Sequence, residues 1–296
     1  METFSYIEPM KAKLSDVEFL ERVNNDHRWG AGEKFDGYRE LLYLGAERNE
    51  MFSSLGTSHI DKVPQFKQLV KELAGTVIDC EGLSPTRRLE DNASCFKSDP
   101  PNAIDWQRRN GNATLAVFDV LRYKGLDVTK EQFGSRRTTL MWIATILQKC
   151  DFPIRLEELV FENKLAYYKK IVARSAAEGH EGIILKDMFA PYTPGKRGNA
   201  WLKVKRRERL KYHITGFLPG CGKFDGMVGA VIYGAFGHDD FYDIGSASGM
   251  DDAVRQDMMD HPDKYLHQEA WFECQEITSN GVMRHPRYKG LVKEVK

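Results

Sequence analysis

The sequence lacks the cysteine pairs and apolar runs that mark secreted and membrane proteins. Its five cysteines are an odd number and form no CxxC pair, so neither a regular disulfide framework nor a cysteine zinc knuckle is expected. No stretch approaches 18 apolar residues, and the first residues lack the basic-then-apolar pattern of a signal peptide. These absences predict a protein of a reducing compartment, the cytoplasm, with no membrane association.

Charge imbalance and a phosphate loop are absent as well. Lys plus Arg and Asp plus Glu each number 43, so the formal net charge of zero does not favour a general nucleic-acid binder. The P-loop pattern, Gly-x4-Gly-Lys followed by Ser or Thr, does not occur. Basic residues are nevertheless concentrated at 203–211, and such a local stripe can bind phosphate even in a neutral protein.

The hydrophobic pattern predicts helices and strands in alternation up to about residue 208. Helical spacing of apolar residues predicts helices at 61–75, 131–150 and 162–178. Another short helix is expected to begin after Ser15, with Ser15 as its N-cap and Glu18 completing a capping box.

Two stretches differ from this alternation. The polar residues 84–112 predict a long loop, of the kind that is often functional or mobile. After about residue 211, short strands separated by glycine-rich turns predict a small barrel, for which an OB-fold is the best match.

The clearest chemical signal lies in the hairpin at residues 33–39. Lys34 ends a predicted strand and is a candidate nucleophile, but a lysine amine is almost fully protonated at pH 7. Such a nucleophile needs cationic neighbours, desolvation or a metal ion. The same four letters, Lys-Phe-Asp-Gly, recur at 223–226 without a following arginine, and there we predict only a turn.

Charged residues at the ends of other predicted strands could supply that environment: Asp36, Asp79, Glu81, Glu181, Lys203 and Lys205. If these ends meet in one cleft, the carboxylates hold Mg²⁺ and the lysines neutralise a phosphate. Each feature alone also fits a turn, a solvated strand end or an exposed face. Phe118 alone fits a core aromatic residue.

In their order and spacing, these motifs resemble the covalent nucleotidyltransferase superfamily, and within it the small two-domain ATP-dependent DNA ligases of phages, viruses or minimal bacterial type. The motifs are Lys-x-Asp-Gly-x-Arg at 34–39, Asp-x-Glu-Gly at 79–82, Phe-Asp at 118–119, Glu-Gly-Ile-Ile-Leu-Lys at 181–186 and Trp-Leu-Lys-Val-Lys at 201–205. Residues 242–250 and 278–288 resemble OB-domain signatures of DNA ligases. The resemblance covers nearly the whole chain.

The resemblance implies an α+β fold. A nucleotidyltransferase (adenylation) domain of antiparallel sheets plus helices, ATP-grasp-like, is expected over 1–208, and a small all-β OB-fold domain over 209–296. The implied function is an ATP-dependent DNA ligase that seals nicks in double-stranded DNA during replication, repair and recombination. ATP would donate AMP, Mg²⁺ or Mn²⁺ would assist, and a monomer would act in the cytoplasm of a bacterial or phage-infected cell.

The resemblance also assigns roles to single residues. Lys34 is the catalytic residue that becomes adenylylated. Phe118 stacks on adenine. The residues expected to contact the nucleotide are Glu33, Arg39, Glu81, Phe118, Lys203 and Lys205. Those expected to contact the metal ion are Asp36, Glu81 and Glu181. Those expected to contact DNA are Arg39, Arg87, Arg88, Arg108, Arg109 and Arg206.

Two positions depart from the family pattern. Ser54 stands where the family has an arginine, which leaves Arg48 as the candidate for the missing contact. The family's last motif, Arg-x-Asp-Lys, orients pyrophosphate, but residues 288–296 do not align with it. Lys293 or Lys296 would have to substitute, so a weakened first step is expected.

Three alternatives stay open. An RNA ligase or a GTP-using mRNA capping enzyme shares the lysine motif, although the ligase-like tail argues against both. An NAD-dependent ligase would be expected to have an extra N-terminal domain and a four-cysteine zinc site. A non-catalytic OB-fold binder with a degenerate pocket would take up no AMP.

Overall fold

The computed structural model describes residues 4–174, 180–237, 240–274, 276–277 and 281–292. The chain forms two compact units, Met1–Lys205 and Arg206–Lys296. Within the described ranges, no helix combines the length and apolar character needed to cross a membrane.

The first unit is built on two sheets. Its strands are β1 Lys11–Leu14, β2 Trp29–Phe35, β3 Tyr38–Leu44, β4 Glu50–Ser53, β5 Thr76–Leu83, β6 Thr114–Tyr123, β7 Leu126–Asp127, β8 Ile154–Leu156, β9 His180–Asp187 and β10 Arg197–Lys205. One sheet has the order β1-β10-β9-β2, and the other has the order β4-β3-β5-β6-β7 with β8 added beside β6. The pairs β1–β10 and β6–β8 are parallel, and the remaining pairs are antiparallel.

Helices cover one face of each sheet. They are α1 Val17–Arg22, α2 Leu89–Phe96, α3 Pro100–Asn110, α4 Phe133–Lys149 and α5 Lys164–Ala173. Helix α4 buries Leu140 and Leu147 in the same core as Val117 of β6, and α5 buries Ile171 against Leu185 of β9. Because side chains alternate along a strand, the other faces of these two sheets are left to form a third apolar cluster.

The predicted N-cap of α1 is wrong. Asp16, not Ser15, occupies the cap position, and its carboxylate accepts a hydrogen bond of 2.8 Å from the Phe19 amide. The backbone amide of Ser15 instead donates to the carbonyl of Lys203 at 3.0 Å. Ser15 therefore continues the pairing of β1 with β10, and the helix begins one residue later than expected.

The helix predicted at 61–75 is also wrong. This segment forms three separate 3-10 turns, Ile60–Lys62, Pro64–Phe66 and Lys71–Leu73. Pro64 has no amide hydrogen to continue a helix. Between the last two turns, the Asn49 side chain donates to the carbonyls of Phe66 and Gln68, which holds the chain open.

The polar stretch 84–112 is not a loop, since it contains α2 and α3. Asp99 caps α3 by accepting from the Asn102 amide at 3.1 Å, and Pro100 fills the first helical position. A proline there loses no helical hydrogen bond, so the Pro-Pro pair signals a helix start. The polar composition reflects an exposed helix rather than an absence of structure.

The second unit is mainly β-sheet. Its elements are β11 Glu208–Pro219, β12 Val228–Phe236, β13 Phe241–Ala247, α6 Asp252–Asp260, β14 Glu269–Cys274, β15 Glu276–Ile277, β16 Met283–Arg284 and β17 Arg287–Leu291. An antiparallel sheet has the order β13-β12-β11-β14-β17, and β15 pairs with β16. Val231, Tyr233 and Phe272 are buried at its core, together with Met258 of α6.

The second copy of the lysine tetrapeptide is a turn, as predicted. Residues Gly222–Phe224 form a single 3-10 turn before β12. Gly226 follows in a left-handed conformation, with φ of 78°, which glycine adopts without strain.

Candidate functional site

Three adjacent strands place Lys34, Glu181 and Lys205 beside one another. Lys34 on β2 and Lys205 on β10 both lie opposite Gly182 of β9, one from each side. The Glu181 carboxylate forms an ion pair with the Lys34 ammonium and lies 3.5 Å from the Lys205 ammonium. Glu181 therefore holds two lysines at one end of the sheet, and an acid is needed there because the lysines would otherwise repel each other.

The turn after Lys34 packs tightly on β5. A Cβ atom at Gly37 would lie 2.4 Å from the carbonyl oxygen of Gly82 and 2.7 Å from Cγ of Glu81, so only glycine allows this approach. The side-chain amide of Asn92 donates to the Asp36 carbonyl at 2.8 Å and fixes the turn from the other side. The close packing brings Glu81 into the neighbourhood of Lys34.

Arg39 is fixed by a buried carboxylate. Its Nε and Nη2 atoms each lie 2.5 Å from an oxygen of Asp79, and the Tyr192 hydroxyl donates to the same carboxylate at 2.6 Å. The guanidinium carbon lies 4.6 Å from the centre of the Phe118 ring and 5.3 Å from that of Trp201. A bidentate pair of this kind is strong and holds the arginine against the aromatic rings.

A cavity of about 350 Å³ lies between these elements. It is lined by Pro9, Met10, Lys11, Ala12, Glu33, Lys34, Phe35, Arg39, Ser54, Glu81, Phe118, Glu157, Ile184, Lys186, Arg197, Trp201 and Lys203. Basic side chains outnumber acidic ones, and aromatic and apolar side chains supply further walls. A volume of this size, with aromatic and cationic walls, suits an anionic ligand that carries a ring.

A buried ion pair lies in the wall of the cavity. The Lys186 ammonium is 2.5 Å from the Glu157 carboxylate, and both side chains are almost fully buried. Burial raises the pKa of Glu157 and lowers the pKa of Lys186, which favours the neutral form of each residue. Gly32 leaves room for this pair, because a Cβ there would lie 2.2 Å from a carboxylate oxygen of Glu157.

The cavity shifts the pKa of two further side chains. Burial raises the pKa of Glu81 to about 7, and the carboxylates of Asp79 and Glu181 add to the effect. Partial burial lowers the pKa of Lys203, and the nearby charges of Lys205 and Lys34 lower it further. Such shifts are typical of functional sites.

The raised pKa of Glu81 predicts a pH-dependent stability difference between the wild type and the Glu81→Gln variant. The unfolded carboxyl ionises near its ordinary pKa of 4.5, whereas the folded one retains its proton up to about 7. The native state therefore binds more protons in this range, and its stability falls as the pH rises. We expect urea unfolding between these two pH values to show the wild type losing stability relative to the variant. A pH-independent difference would contradict the raised pKa.

The donor set near Lys34 fits a magnesium ion bound partly by a substrate. Glu81 and Glu181 offer hard carboxylate oxygens, and burial, together with neighbouring negative charge, raises the pKa of Glu81. Within the part of the chain that the structure describes, no cluster of three or more His, Cys, Asp or Glu side chains could hold a metal ion by itself. Mg²⁺ commonly binds through one or two carboxylates plus phosphate oxygens, so this pair of acids suffices only with a phosphate ligand.

The structure brings together most of the residues predicted for nucleotide binding. Glu33, Lys34, Arg39, Glu81, Phe118 and Lys203 line the cavity. Lys205 and Glu181 are joined to Lys34 by the ion pairs described above. Asp36 lies in the hairpin turn between β2 and β3. The roles assigned to these residues stay predictions.

The arginines predicted for DNA binding lie at several places. Arg87 and Arg88 precede α2, and Arg108 and Arg109 lie in the last turn of α3. Arg109 is paired with Asp105, and Arg206, in the second unit, is paired with Glu208. Lys293 and Lys296, the predicted substitutes in the C-terminal motif, lie outside the described residues.

Several cavity residues had no predicted role: Lys11, Glu157, Lys186, Arg197 and Trp201. Lys186 and Trp201 lie inside motifs that were recognised, so their spacing from Glu181 and Lys203 could have indicated them. Lys11 and Glu157 carry no local signal. Parallel pairing of β1 with β10, and of β8 with β6, places them beside strands that are distant in sequence.

Sequence comparison places the first unit within a known family. Residues 9–205 match the family described as ATP dependent DNA ligase domain. Over 258 residues the chain is 30% identical to a DNA ligase of Methanococcoides burtonii, covering 82% of this chain and 44% of that protein. A DNA ligase of Haloferax volcanii is 28% identical over 262 residues, with coverage of 82% and 43%. The chain thus spans less than half the length of these curated relatives.

Solved structures share the fold of this chain. A structure from a study of Lig E DNA ligases superposes with a TM-score of 0.67 at 18% identity, covering 97% of this chain and 100% of that one. The ligase domain of M. tuberculosis LigD gives a TM-score of 0.54 at 21% identity, with coverage of 98% and 96%. The predicted α+β architecture, a nucleotidyltransferase fold followed by an OB-fold, is thereby confirmed.

Proposed function

The chain belongs to the ATP-dependent DNA ligase family, and from this premise we propose that it seals nicks in duplex DNA through a lysine–AMP intermediate. The observation that carries the proposal is the cavity in which Lys34 is surrounded by Arg39, Glu81 and Lys203. These residues would surround one substrate. Lys34 is the nucleophile, Arg39 and Lys203 are cations for a phosphate, and Glu81 is an acid for a ribose or a metal-bound water. We further propose that residues 1–208 form the adenylation domain and residues 209–296 the OB domain.

The first step transfers AMP to the protein. The Lys34 amine attacks the α-phosphorus of ATP, a phosphorus–nitrogen bond forms, and the bond to pyrophosphate breaks. Before the attack the ammonium must lose a proton and leave its ion pair with Glu181. Lys203 and Lys205 neutralise the α-phosphate as charge develops on its oxygens, which is the main contribution a protein makes to phosphoryl transfer. Phe118 supplies a ring for adenine.

The second and third steps join the DNA strands. The 5′-phosphate at the nick attacks the lysine-bound AMP and frees the Lys34 amine. The 3′-hydroxyl then attacks the activated 5′-phosphorus, and AMP leaves with its phosphate. Asp79 orients Arg39, and in these steps Arg39 would contact AMP and the 5′-phosphate. Because AMP moves from protein to DNA, one set of cations serves all three displacements.

Glu81 and Glu181, with Asp36 as a further predicted ligand, would hold Mg²⁺ or Mn²⁺. A divalent ion bound there would neutralise phosphate oxygens and reduce the barrier for each displacement. The carboxylates of the chain have a role of their own in these steps. Glu181 pairs with Lys34 and Lys205 and would release them once phosphate enters, and Glu81 would accept a hydrogen bond from the ribose.

Nicked duplex DNA is the proposed partner, bound by a monomer in a reducing compartment. Arg87 and Arg88 before α2, Arg108 at the end of α3, and Arg206 are the proposed phosphate contacts. The five cysteines are free thiols, which supports the compartment. Replication, repair and recombination all leave the nicks that such an enzyme seals.

The experiment that tests the function offers the protein labelled nucleotides and defined nicks. We expect covalent label from α-labelled ATP and not from GTP, and sealing of a nicked DNA duplex in preference to an RNA nick. Label from GTP would favour a capping enzyme, and a preference for RNA would favour an RNA ligase. No label with either nucleotide would contradict the proposal.

A further inference from the structure

Two exposed cations of the cavity, Lys11 and Arg197, have no role in the mechanism proposed above. We propose that they bind the β- and γ-phosphates of the nucleoside triphosphate and hold pyrophosphate as it leaves Lys34. This inference rests on the proposed function and deepens it, because it assigns the part of the cavity that receives the leaving group.

The fold places these two residues side by side. In the parallel pair of β1 and β10, Lys11 and Arg197 are direct partners. The Lys11 amide donates to the Lys196 carbonyl at 2.8 Å, and Arg197 donates from Nη1 to the Ala12 carbonyl at 3.2 Å. Both side chains are exposed, and both line the cavity. Neighbouring strands lie about 4.8 Å apart, a separation that lets two cations contact one diphosphate group.

A row of positive charge leads from the nucleophile to this pair. We define the cation row as Lys34, Lys203, Arg197 and Lys11. Along β10, Lys203 lies between Arg197 and Lys205, and Lys205 is level with Lys34 because both lie opposite Gly182. The charges of Lys34 and Arg197 both act on Lys203. Arg197 is the strand partner of Lys11. A triphosphate whose α-phosphorus lies at Lys34 can therefore continue along the row with its β- and γ-phosphates.

The cations of the cavity differ in whether a carboxylate already pairs with them. Outside the row, Arg39 is paired with Asp79, and Lys186 is paired with Glu157. Among the described residues, Lys203 and Arg197 form no ion pair with a carboxylate. Lys11 pairs with Glu8 at 2.7 Å, but that pair is about half exposed and therefore weak.

The chemistry of the first step requires charge in this position. Pyrophosphate gains negative charge as its bond to the α-phosphorus breaks, and it leaves on the side opposite the attacking amine. Cations beyond the α-phosphate stabilise that charge, and the arginine fork suits phosphate oxygens better than a lysine does.

A phosphate group of the DNA backbone could bind Lys11 and Arg197 in the same way as the triphosphate. The two ligands act in different steps of the reaction. A contact to the triphosphate matters when ATP reacts and when pyrophosphate reverses that reaction, whereas a contact to DNA matters when a nick is sealed. A nick that already carries AMP is sealed without ATP, so it separates the two sources.

The test uses Arg197→Gln and Lys11→Gln in the full chain, each with a neighbour as control. Lys196→Gln and Lys13→Gln remove exposed lysines of the same strand region that lie outside the cavity lining. Rates of AMP uptake, pyrophosphate-driven release of AMP as ATP, and sealing of a pre-adenylylated nick are measured for all five proteins. Binding of inorganic pyrophosphate in the presence of Mg²⁺ is measured by calorimetry.

We expect Arg197→Gln to slow AMP uptake and its reversal about 10- to 100-fold, as expected for loss of one charge-assisted contact. Arg197→Gln should also weaken pyrophosphate binding to a similar degree. Lys11→Gln should have a smaller effect on AMP uptake, on its reversal and on pyrophosphate binding. Sealing of the pre-adenylylated nick and the behaviour of both controls should stay within about twofold of the wild type.

Two results would overturn the inference while leaving the proposed function intact. The first is that the wild type takes up AMP but Arg197→Gln shows the same AMP uptake, reversal and pyrophosphate binding as the control Lys196→Gln. The other is an equal loss in AMP uptake and in sealing of the pre-adenylylated nick, which would indicate a DNA contact or a folding defect. A wild type that takes up no AMP would overturn the proposed function, and the inference with it.

Discussion

Replacing Lys34 with arginine abolishes the covalent transfer of AMP from ATP to the protein. Arginine keeps the positive charge and can still pair with Glu181, so the local charge balance is preserved. A guanidinium does not lose its proton in proteins and cannot act as the nucleophile. The expected loss is therefore complete, and it is measured as labelled protein on a denaturing gel after incubation with α-labelled ATP and Mg²⁺.

The chain carries its own control for this experiment. Lys223 lies in the second Lys-Phe-Asp-Gly sequence, which is a surface turn of the second unit. Lys223→Arg should take up AMP at the wild-type rate. Persistent labelling of the Lys34→Arg protein, with the label on another residue, would show that the nucleophile had been assigned wrongly. Sealing of a pre-adenylylated nick by Lys34→Arg would show that the variant is folded.

Replacing Asp79 with asparagine destabilises the first unit strongly. Asp79 is fully buried, accepts two hydrogen bonds from Arg39 and receives one from Tyr192. Removing one partner of such a pair leaves an uncompensated charge and costs about 3–5 kcal/mol. For a unit of this size we expect the midpoint of thermal unfolding to fall by roughly 6–20 °C.

Two further variants separate charge from packing in this network. Arg39→Met combined with Asp79→Leu removes both charges and should be less destabilised than Asp79→Asn alone. Tyr192→Phe removes one hydrogen bond and should cost about 1 kcal/mol. A double variant as unstable as Asp79→Asn would show that the network stabilises the unit through shape rather than charge. AMP uptake by Tyr192→Phe then reports how far the orientation of Arg39 matters.

The convergence of the strand ends could be predicted from the sequence. Lys34, Glu181 and Lys205 each stand beside a short apolar strand, and burial of unpaired charge is costly enough that such residues must meet partners. Ion pairs between them bear out that reasoning. The requirement for glycine after Asp36 comes from close packing on Glu81 and Gly82, which became visible only in three dimensions.

The remaining features have weak local signals or none, and they depend largely on tertiary contacts. Pro64 interrupts 61–75, and side-chain hydrogen bonds from Asn49 to Phe66 and Gln68 hold the interrupted segment. The polar helices α2 and α3 have too few apolar residues for a periodic pattern. Lys11 enters the cavity because β1 pairs with a strand about 190 residues later. Sequence reasoning predicted the meeting of the charged strand ends better than it predicted the other residues that line the cavity.

One measurement tests the central claim most directly. The AMP-labelled protein is separated from ATP and mixed with a duplex that carries a single nick with a 5′-phosphate. We predict that the label passes from protein to DNA, that free AMP follows, and that one nick is sealed for each labelled protein. A matched nick without the 5′-phosphate should leave the label on Lys34. Label that stays on the protein with the phosphorylated nick, or leaves it without sealing, would contradict the assignment as a DNA ligase.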